Sequence, residues 1–458
     1  MEAANKRACA VHNRWIVPLF VLAITVIGPL LGREYGRYLL GLYVLLVPWM
    51  LMNHLPRPHL APFIYVYLAA NAFAFVLHFG DLDSMLNAGS LVLAITTTAV
   101  AAYHSVRGCC AKAADHALEK WLWIALVVSF FISSLLTAVN WPTAPDYYFW
   151  EVFYSDKRLL LLNGDAVGHS ASLWIIALLA AFAAHRVFAE KQEKAVWLIL
   201  LVILIILLLS TKSRLALFYV VNLLVMVLAY KRVPFFRPMV LFVPAVFSIG
   251  IIFSSISPAI GSEINLLARA VQQEVGNWLR VTPGEDSRFS VFSGRDVLNE
   301  ALISASIENP VRGLGDKADI LIYGVDDDGS IAYEADRALA STESVLRLAV
   351  KYGWPYFIAL AAFLWSVPFV VRRLPRQEQI LKVGLWGICI QSIAIQGGME
   401  VFYGISGLFL FLLALLTFQG AGVGSGRAFV VRPPEIDGIT GRNRFNARPH
   451  SMWARDDG

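Results

Sequence analysis

Residues 195–210 read AVWLILLVILIILLLS, residues 211–213 read TKS, and residues 214–230 read RLALFYVVNLLVMVLAY. Each of the two apolar runs is close to the length that crosses a bilayer as a helix. The turn between them is short, and two cations stand at it, Lys212 within the turn and Arg214 directly after it. Reading outward from this pair, further apolar windows fall near 15–31, 36–53, 60–79, 86–105, 121–139 and 169–188 on the N-terminal side. On the C-terminal side they fall near 238–256, 352–371, 380–397 and 401–419. The pattern predicts an all-α polytopic membrane protein of about twelve transmembrane helices.

Composition agrees with that class. Hydrophobic residues make up 58% of the 458-residue chain and charged residues 16%, against about 25% charged in an ordinary soluble domain. Mean hydropathy is +0.62. The net charge of +5 fits an orientation signal better than affinity for nucleic acid. Cys9, Cys109, Cys110 and Cys389 form neither a disulfide framework nor a zinc-spaced cluster. No small-residue cleavage site follows the first apolar run closely, so a cleavable signal peptide is not expected.

The loop charges alternate. Lys6, Arg7 and Arg14 precede the first window, and Arg107, Lys112 and Lys120 follow the fourth. Arg186, Lys191 and Lys194 follow the sixth, Lys231, Arg232 and Arg237 the eighth, and Arg372, Arg373 and Arg376 the tenth. Basic loops stay cytoplasmic, which puts both termini inside and the polar segment from Ser257 to Ser341 outside. The expected organisation is helices one to nine over residues 1–256, a large external loop over 257–351, helices ten to twelve over 352–419, and a disordered cytoplasmic tail over 420–458. Within the loop, Ile264, Leu267, Val271, Val275, Trp278 and Leu279 recur at helical spacing and predict an amphipathic helix on the outer surface. No internal repeat is visible, unlike many transporters.

Because the spans offer few polar groups, chemistry is expected in the external loops. Lys212 and Arg214, with Ser213 between them, read either as snorkelling side chains or as an anion clamp in which arginine grips phosphate oxygens in a bidentate fork. Arg295 opens a stretch with helical spacing that ends near Glu308, and Asn309-Pro310-Val311-Arg312-Gly313-Leu314-Gly315 follows. Its glycines are a weak phosphate-loop signal that turn formation also explains; Arg295 and Arg312 are candidate anion contacts or surface arginines. Thr342-Glu343-Ser344 opens the helix leading into span ten, where Glu343 is either a first-turn carboxylate suited to the helix dipole or a general base. Asp156-Lys157-Arg158 is an exposed ion pair or a further wall of the same site, and Asp326-Asp327-Asp328-Gly329 lacks the alternation of a calcium loop.

In this order the motifs resemble the bacterial O-antigen ligase and polysaccharide polymerase superfamily. The match is Ser213-Arg214 at a span junction, Arg295 in a large external loop, the Asn309–Gly315 stretch, and a polar dyad leading to Leu346 and then Tyr352-Gly353; it covers roughly residues 196 to 371. The resemblance implies a lipid-carrier-dependent glycosyltransferase fold of the GT-C type that needs no metal or cofactor. It also implies a bacterial inner membrane location with the large loop periplasmic. Ligases of this group typically carry a histidine where this chain has Thr342-Glu343, and no histidine occurs between His185 and His450. The carboxylate resembles a polymerase. The resemblance therefore implies joining of polyprenyl-pyrophosphate-linked oligosaccharide repeat units into a surface polysaccharide. Arg214, Arg295 and Glu343 would be catalytic, and Lys212, Ser213, Arg312 and Arg158 would bind substrate. Partners would be the lipid-linked donor and acceptor and the surrounding lipids, with a chain-length regulator left open and no nucleic acid. The alternatives are transfer of glycan to lipid A-core and transport of a lipid-linked oligosaccharide, although transporters usually carry ionisable residues deep in their spans.

A reporter active only outside the membrane, fused after Tyr323, is expected to be active, and one fused after Arg373 silent. The reverse pattern in a fusion assay would invert the topology.

Overall fold

The computed structural model describes residues 16–27, 62–78, 98–103, 105–106, 111–140, 148–154, 159, 161, 166–189, 193–211, 213–231, 233, 235–256, 306–315, 346–372, 374–396 and 405–420. Every regular element among them is helical. In chain order these are α1 (Ile16–Leu22, continued by a π turn over Ala23–Ile27), α2 (Pro62–Leu77), α3 (Ala111–Ala138), a short 3-10 turn (Phe149–Phe153), α4 (Ala166–Ala189) and α5 (Lys194–Ser210). Then come α6 (Arg214–Tyr230), α7 (Phe236–Ile256), α8 (Leu346–Tyr352), α9 (Trp354–Val371), α10 (Arg376–Gln396) and α11 (Ile405–Gly420). By length and composition, Ala114–Ala138 of α3 and Trp354–Val371 are long and apolar enough to cross a membrane. Leu173–Ala189, Lys194–Ser210 and Leu215–Tyr230 are among the shorter apolar helices. The amphipathic segment at 264–279 and the tail after 420 lie outside the described residues.

α4 and α10 form the core. On α4 every residue from Leu173 to Ala184 is buried, as expected of a helix apolar on all sides. Its neighbours are α3, α5, α6 and α10, and α10 also touches α7, α9 and α11. Small residues make this crowding possible. A Cβ on Gly384 would fall inside the Met226 side chain, and one on Gly387 would lie 2.9 Å from Asn222 Nδ2 and 3.0 Å from Pro244 Cγ.

The outside is as apolar as the inside. On α3, Val127, Phe131 and Leu135, with Val139 just beyond, make an exposed stripe at four-residue spacing; Phe131 is 68% exposed. Ser129 and Ser133 of the same helix are buried. On α5, Val196, Ile199, Val202, Ile203 and Ile206 are exposed around a narrow buried line of Leu201, Leu204 and Leu208. Water would not tolerate so large a contiguous apolar surface on a monomer.

Charge collects at one end of the bundle. The Glu119 carboxylate on α3 accepts from Arg186 Nε at 3.3 Å and Nη2 at 2.6 Å. The Arg186 guanidinium also lies 5.6 Å from the Trp197 ring at the start of α5. Lys382, fully buried on α10, is ion-paired to Asp115, whose Oδ1 also accepts from Gln419 Nε2 at 3.0 Å. At the same end Arg237 donates to Gln379 at 2.9 Å, and Arg376 to the Ala229 carbonyl at 3.3 Å. The start of α3 carries much of this chemistry: the helix begins ten residues before the apolar window at 121, and those residues supply Asp115 and Glu119. Lys382 lies inside the apolar window 380–397, an ionisable group that average hydropathy passes over.

One helix differs from the sequence-based expectation. The segment after Glu343 does not run unbroken into span ten: α8 ends at Tyr352, Gly353 adopts φ +84°, and α9 begins at Trp354 with Pro355 in its first turn. The proline suits a helix start, and only glycine takes the intervening conformation without strain.

Removing one partner of the Lys382–Asp115 pair leaves a buried charge uncompensated. Lys382→Met is expected to destabilise by about 3–5 kcal/mol, and adding Asp115→Leu should recover most of that loss. Thermal unfolding in detergent checks both.

Candidate functional site

The end of the bundle opposite the charged one carries the polar motifs. α5 stops because its last turn is closed by Thr211, whose Oγ1 and N–H both donate to the Leu208 carbonyl, at 2.6 and 3.2 Å. Ser213 then takes an extended conformation, φ −89° and ψ 137°, and α6 starts at Arg214. Ser213 stands at the N-cap position, yet its hydroxyl makes no capping bond. Arg214 is thus the first residue of a helix, where the backbone dipole is already positive. A cation there is locally unfavourable and raises the positive potential of the mouth.

A second segment is tied to this junction. The Leu159 N–H donates to the Ser210 carbonyl at 3.0 Å, and Leu159 is buried. The backbone directly after Arg158 is therefore fixed against the end of α5. Of the two readings of Asp156-Lys157-Arg158, this tie is what a further wall of the site requires, although those three side chains, like that of Lys212, lie outside the described residues. So do Arg295 and Glu343, and nothing is described of the Arg214 side chain.

The Asn309–Gly315 stretch has a definite role in the fold. Residues 306–308 are helical, which agrees with a helix ending near Glu308. The chain then turns, with Gly313 N–H donating to the Asn309 carbonyl at 2.9 Å. Leu314 N–H donates to the Val350 carbonyl at 2.7 Å and Gly315 N–H to the Lys351 carbonyl at 3.0 Å. These are terminal carbonyls of α8 that have no partner within the helix. In return Pro310 offers its carbonyl to Trp354 N–H at 2.8 Å. The glycines follow from this fit: Gly313 has φ +71°, and a Cβ there would stand 2.5 Å from the Lys351 oxygen. A Cβ on Gly353 would meet the Val311 carbonyl carbon at 2.6 Å.

That arrangement decides between the two readings of the glycines. The N–H groups of Gly313, Leu314 and Gly315 all donate to carbonyls, so they do not form a phosphate cradle. The stretch instead holds α8, whose first residue lies three positions after Glu343. Arg312 is exposed. Behind it, Tyr352 meets His78 edge-on at 6.4 Å and Tyr356 at 5.0 Å, and Tyr356 shares a 2.7 Å hydroxyl contact with Tyr67 on α2.

Two features escape motif reading. Tyr148 and Trp150 stack at 4.5 Å, with Phe153 and Tyr154 also exposed; the signal was the aromatic density of residues 147–154, YYFWEVFY. The other is a set of amides deep between helices, Asn222 and Gln391, visible in sequence only as isolated polar letters in apolar windows. No protein-family model matches the chain, and no curated protein does.

Gly353→Ala is expected to cost about 1–3 kcal/mol from the positive φ alone, with the clash against Val311 adding to it. Arg312→Ala should leave the melting temperature unchanged. Equal melting temperatures for Gly353→Ala and wild type would show that the clamp is not needed to hold α8.

Proposed function

We propose that this chain is a polytopic membrane glycosyltransferase with about twelve spans and a GT-C type fold. It polymerises polyprenyl-pyrophosphate-linked oligosaccharide repeat units at the outer face of a bacterial inner membrane. The membrane part of the reading rests on helices α3 and α5, which expose aliphatic side chains, while α3 buries Ser129 and Ser133. The catalytic part rests on one observation: Arg214 begins α6 at the positive end of its dipole, in a mouth to which Leu159 ties the segment carrying Arg158. A cation borne by the first residue of a helix is stabilised by an anion, and a pyrophosphate is the anion that a lipid-linked sugar donor brings.

The reaction needs little more. The acceptor hydroxyl oxygen bonds to C1 of the donor sugar as the bond from C1 to the pyrophosphate oxygen breaks. Arg214 and Arg295 meet the charge that develops on the departing pyrophosphate. Glu343 takes the proton of the acceptor hydroxyl. Lys212, Ser213, Arg312 and Arg158 line the approach and bind the diphosphate and the first sugars. The clamp formed by Asn309–Gly315 holds the helix that follows Glu343, so it acts as a positioning element rather than an anion site. The polyprenyl tails remain in the bilayer beside the exposed aliphatic faces.

The buried Lys382–Asp115 pair favours a second reading, since ionisable groups inside spans mark transport pathways. Its place at the charged end, and its closure by Gln419, suit a structural tie better.

The glycan profile of a strain lacking the protein separates the readings. Loss of a polymerase leaves single repeat units on the final carrier, and loss of a ligase strands polymer on the polyprenyl lipid. Loss of a transporter leaves neither units nor polymer on the final carrier. With the polymerase, Arg214→Ala and Arg295→Ala are expected to abolish polymer, and lysine at either position to rescue only partly, because an ammonium lacks the planar fork. Glu343→Gln should keep its membrane level and lose roughly 100-fold or more in rate. A wild-type rate for Glu343→Gln would make Glu343 a helix-start carboxylate and move the base elsewhere, to Asp156 first.

A further inference from the structure

Below the Arg214 mouth, α6 and α10 bury a polar layer that the glycosyl-transfer reading does not use. Tyr219 and Asn222 lie five and eight residues after Arg214, about 8 and 12 Å along the helix axis. The Tyr219 hydroxyl meets Ser392 Oγ, which itself donates to the Ile388 carbonyl at 2.6 Å. Asn222 Nδ2 donates to the Gly384 carbonyl at 3.2 Å, but Asn222 Oδ1 has no partner. Gln391 is fully buried, and neither its Oε1 nor its Nε2 has one. Gly384, Gly387 and Gln391 are spaced three and four residues apart, so they share one face of α10. Asn222 is against that face, since its Nδ2 is 2.9 Å from where a Gly387 Cβ would stand. From the third helix, Pro244 also reaches Gly387, and its missing N–H denies the Val240 carbonyl its usual helical donor.

Two side-chain acceptors and one donor thus lie on facing, fully buried surfaces without partners. Native proteins seldom leave such groups unpaired, and inside a helix bundle the penalty is not relieved by bulk solvent. The chemistry that completes them must both donate and accept, carry no charge, and be small, since the helices approach so closely at Gly387 that a Cβ there would meet Asn222 and Pro244. A monovalent cation satisfies the two oxygens and leaves the amide N–H₂ opposed. We propose that Asn222 and Gln391, with Gly387 between them and Tyr219 above, enclose an internal site for ordered water between α6, α7 and α10. Water donates to Oδ1 and Oε1 and accepts from Nε2, which is the role of buried water in polar interiors. The site stands whether or not the chain transfers sugars.

X-ray hydroxyl-radical footprinting of the full chain in lipid nanodiscs, read by mass spectrometry, tests this directly. Bound water yields radicals in place, so it labels neighbours that bulk solvent never reaches. Tyr219 is expected to be labelled although it is fully buried, while Trp386, equally buried and bonded through Nε1 to the Leu364 carbonyl at 2.6 Å, stays unlabelled. The Tyr219 label is expected to be lost in Gln391→Leu, or in Gln391→Met should the leucine variant fold poorly. An unlabelled Tyr219 in the wild type overturns the proposal. So does a label that persists unchanged in a folded Gln391 variant, which would trace it to bulk access. A higher melting temperature for Gln391→Leu together with an unlabelled Tyr219 would identify the amide as a dry, unpaired group.

Discussion

The close approach of α10 to α6 is the constraint around which the other helices arrange themselves. At Gly384 and Gly387 α10 contributes no side chain, and Met226, Asn222 and Pro244 occupy the space that a Cβ would need. In a bilayer there is no hydrophobic gain from bringing helices together, because lipid is as apolar as leucine. Dispersion contacts and interhelical hydrogen bonds do that work, and both need backbones at short range. Once α10 is seated against α6 and α7, its remaining faces meet α4, α9 and α11. The Tyr219–Ser392 and Asn222–Gly384 contacts then fix the register of the pair.

The two ends of the bundle are built differently. At one end, carboxylates and basic side chains pair with each other and with helix carbonyls, as in the Glu119–Arg186 fork and the Asp115–Lys382–Gln419 cluster. Such pairs tie several helices through a few short contacts, and their charges are largely neutralised. At the other end the ties are made by backbone groups: Leu159 to Ser210, and Leu314 and Gly315 to the end of α8. An end whose scaffold is held by the main chain does not need its side-chain charges for that purpose.

How much of this was legible in sequence follows from which forces leave a local trace. Apolar runs near bilayer length gave α2, α4, α5, α6, α7 and α10 to within a few residues, because helix formation and burial both act along the chain. The helix junction at Ser213-Arg214 was legible for the same reason. The break at Gly353 was not, since a glycine beside a tyrosine looks the same whether the chain continues or turns; the turn is dictated by Val311, which arrives from forty residues upstream. The glycines of Asn309–Gly315 were equally ambiguous until their N–H groups had partners. Lys382 was hidden by averaging, as one lysine in an apolar window barely changes its hydropathy. The layer of Asn222 and Gln391 depends on facing helices far apart in sequence and has no local signature.

The bonds from Leu314 and Gly315 to Val350 and Lys351 also bear on how this protein can vary. They fasten Leu314 and Gly315 to the far end of the short helix α8, so the chain leaves at 315 and rejoins at 346 only the length of that helix away. Closing a loop whose ends are already fastened costs little more as it lengthens, about 0.6 kcal/mol for each doubling. The segment can therefore gain, lose or exchange residues without loosening α8 or the bundle beneath it. Positions of that segment other than Glu343 are free to diversify while the fastening, with its fixed glycines, stays constant.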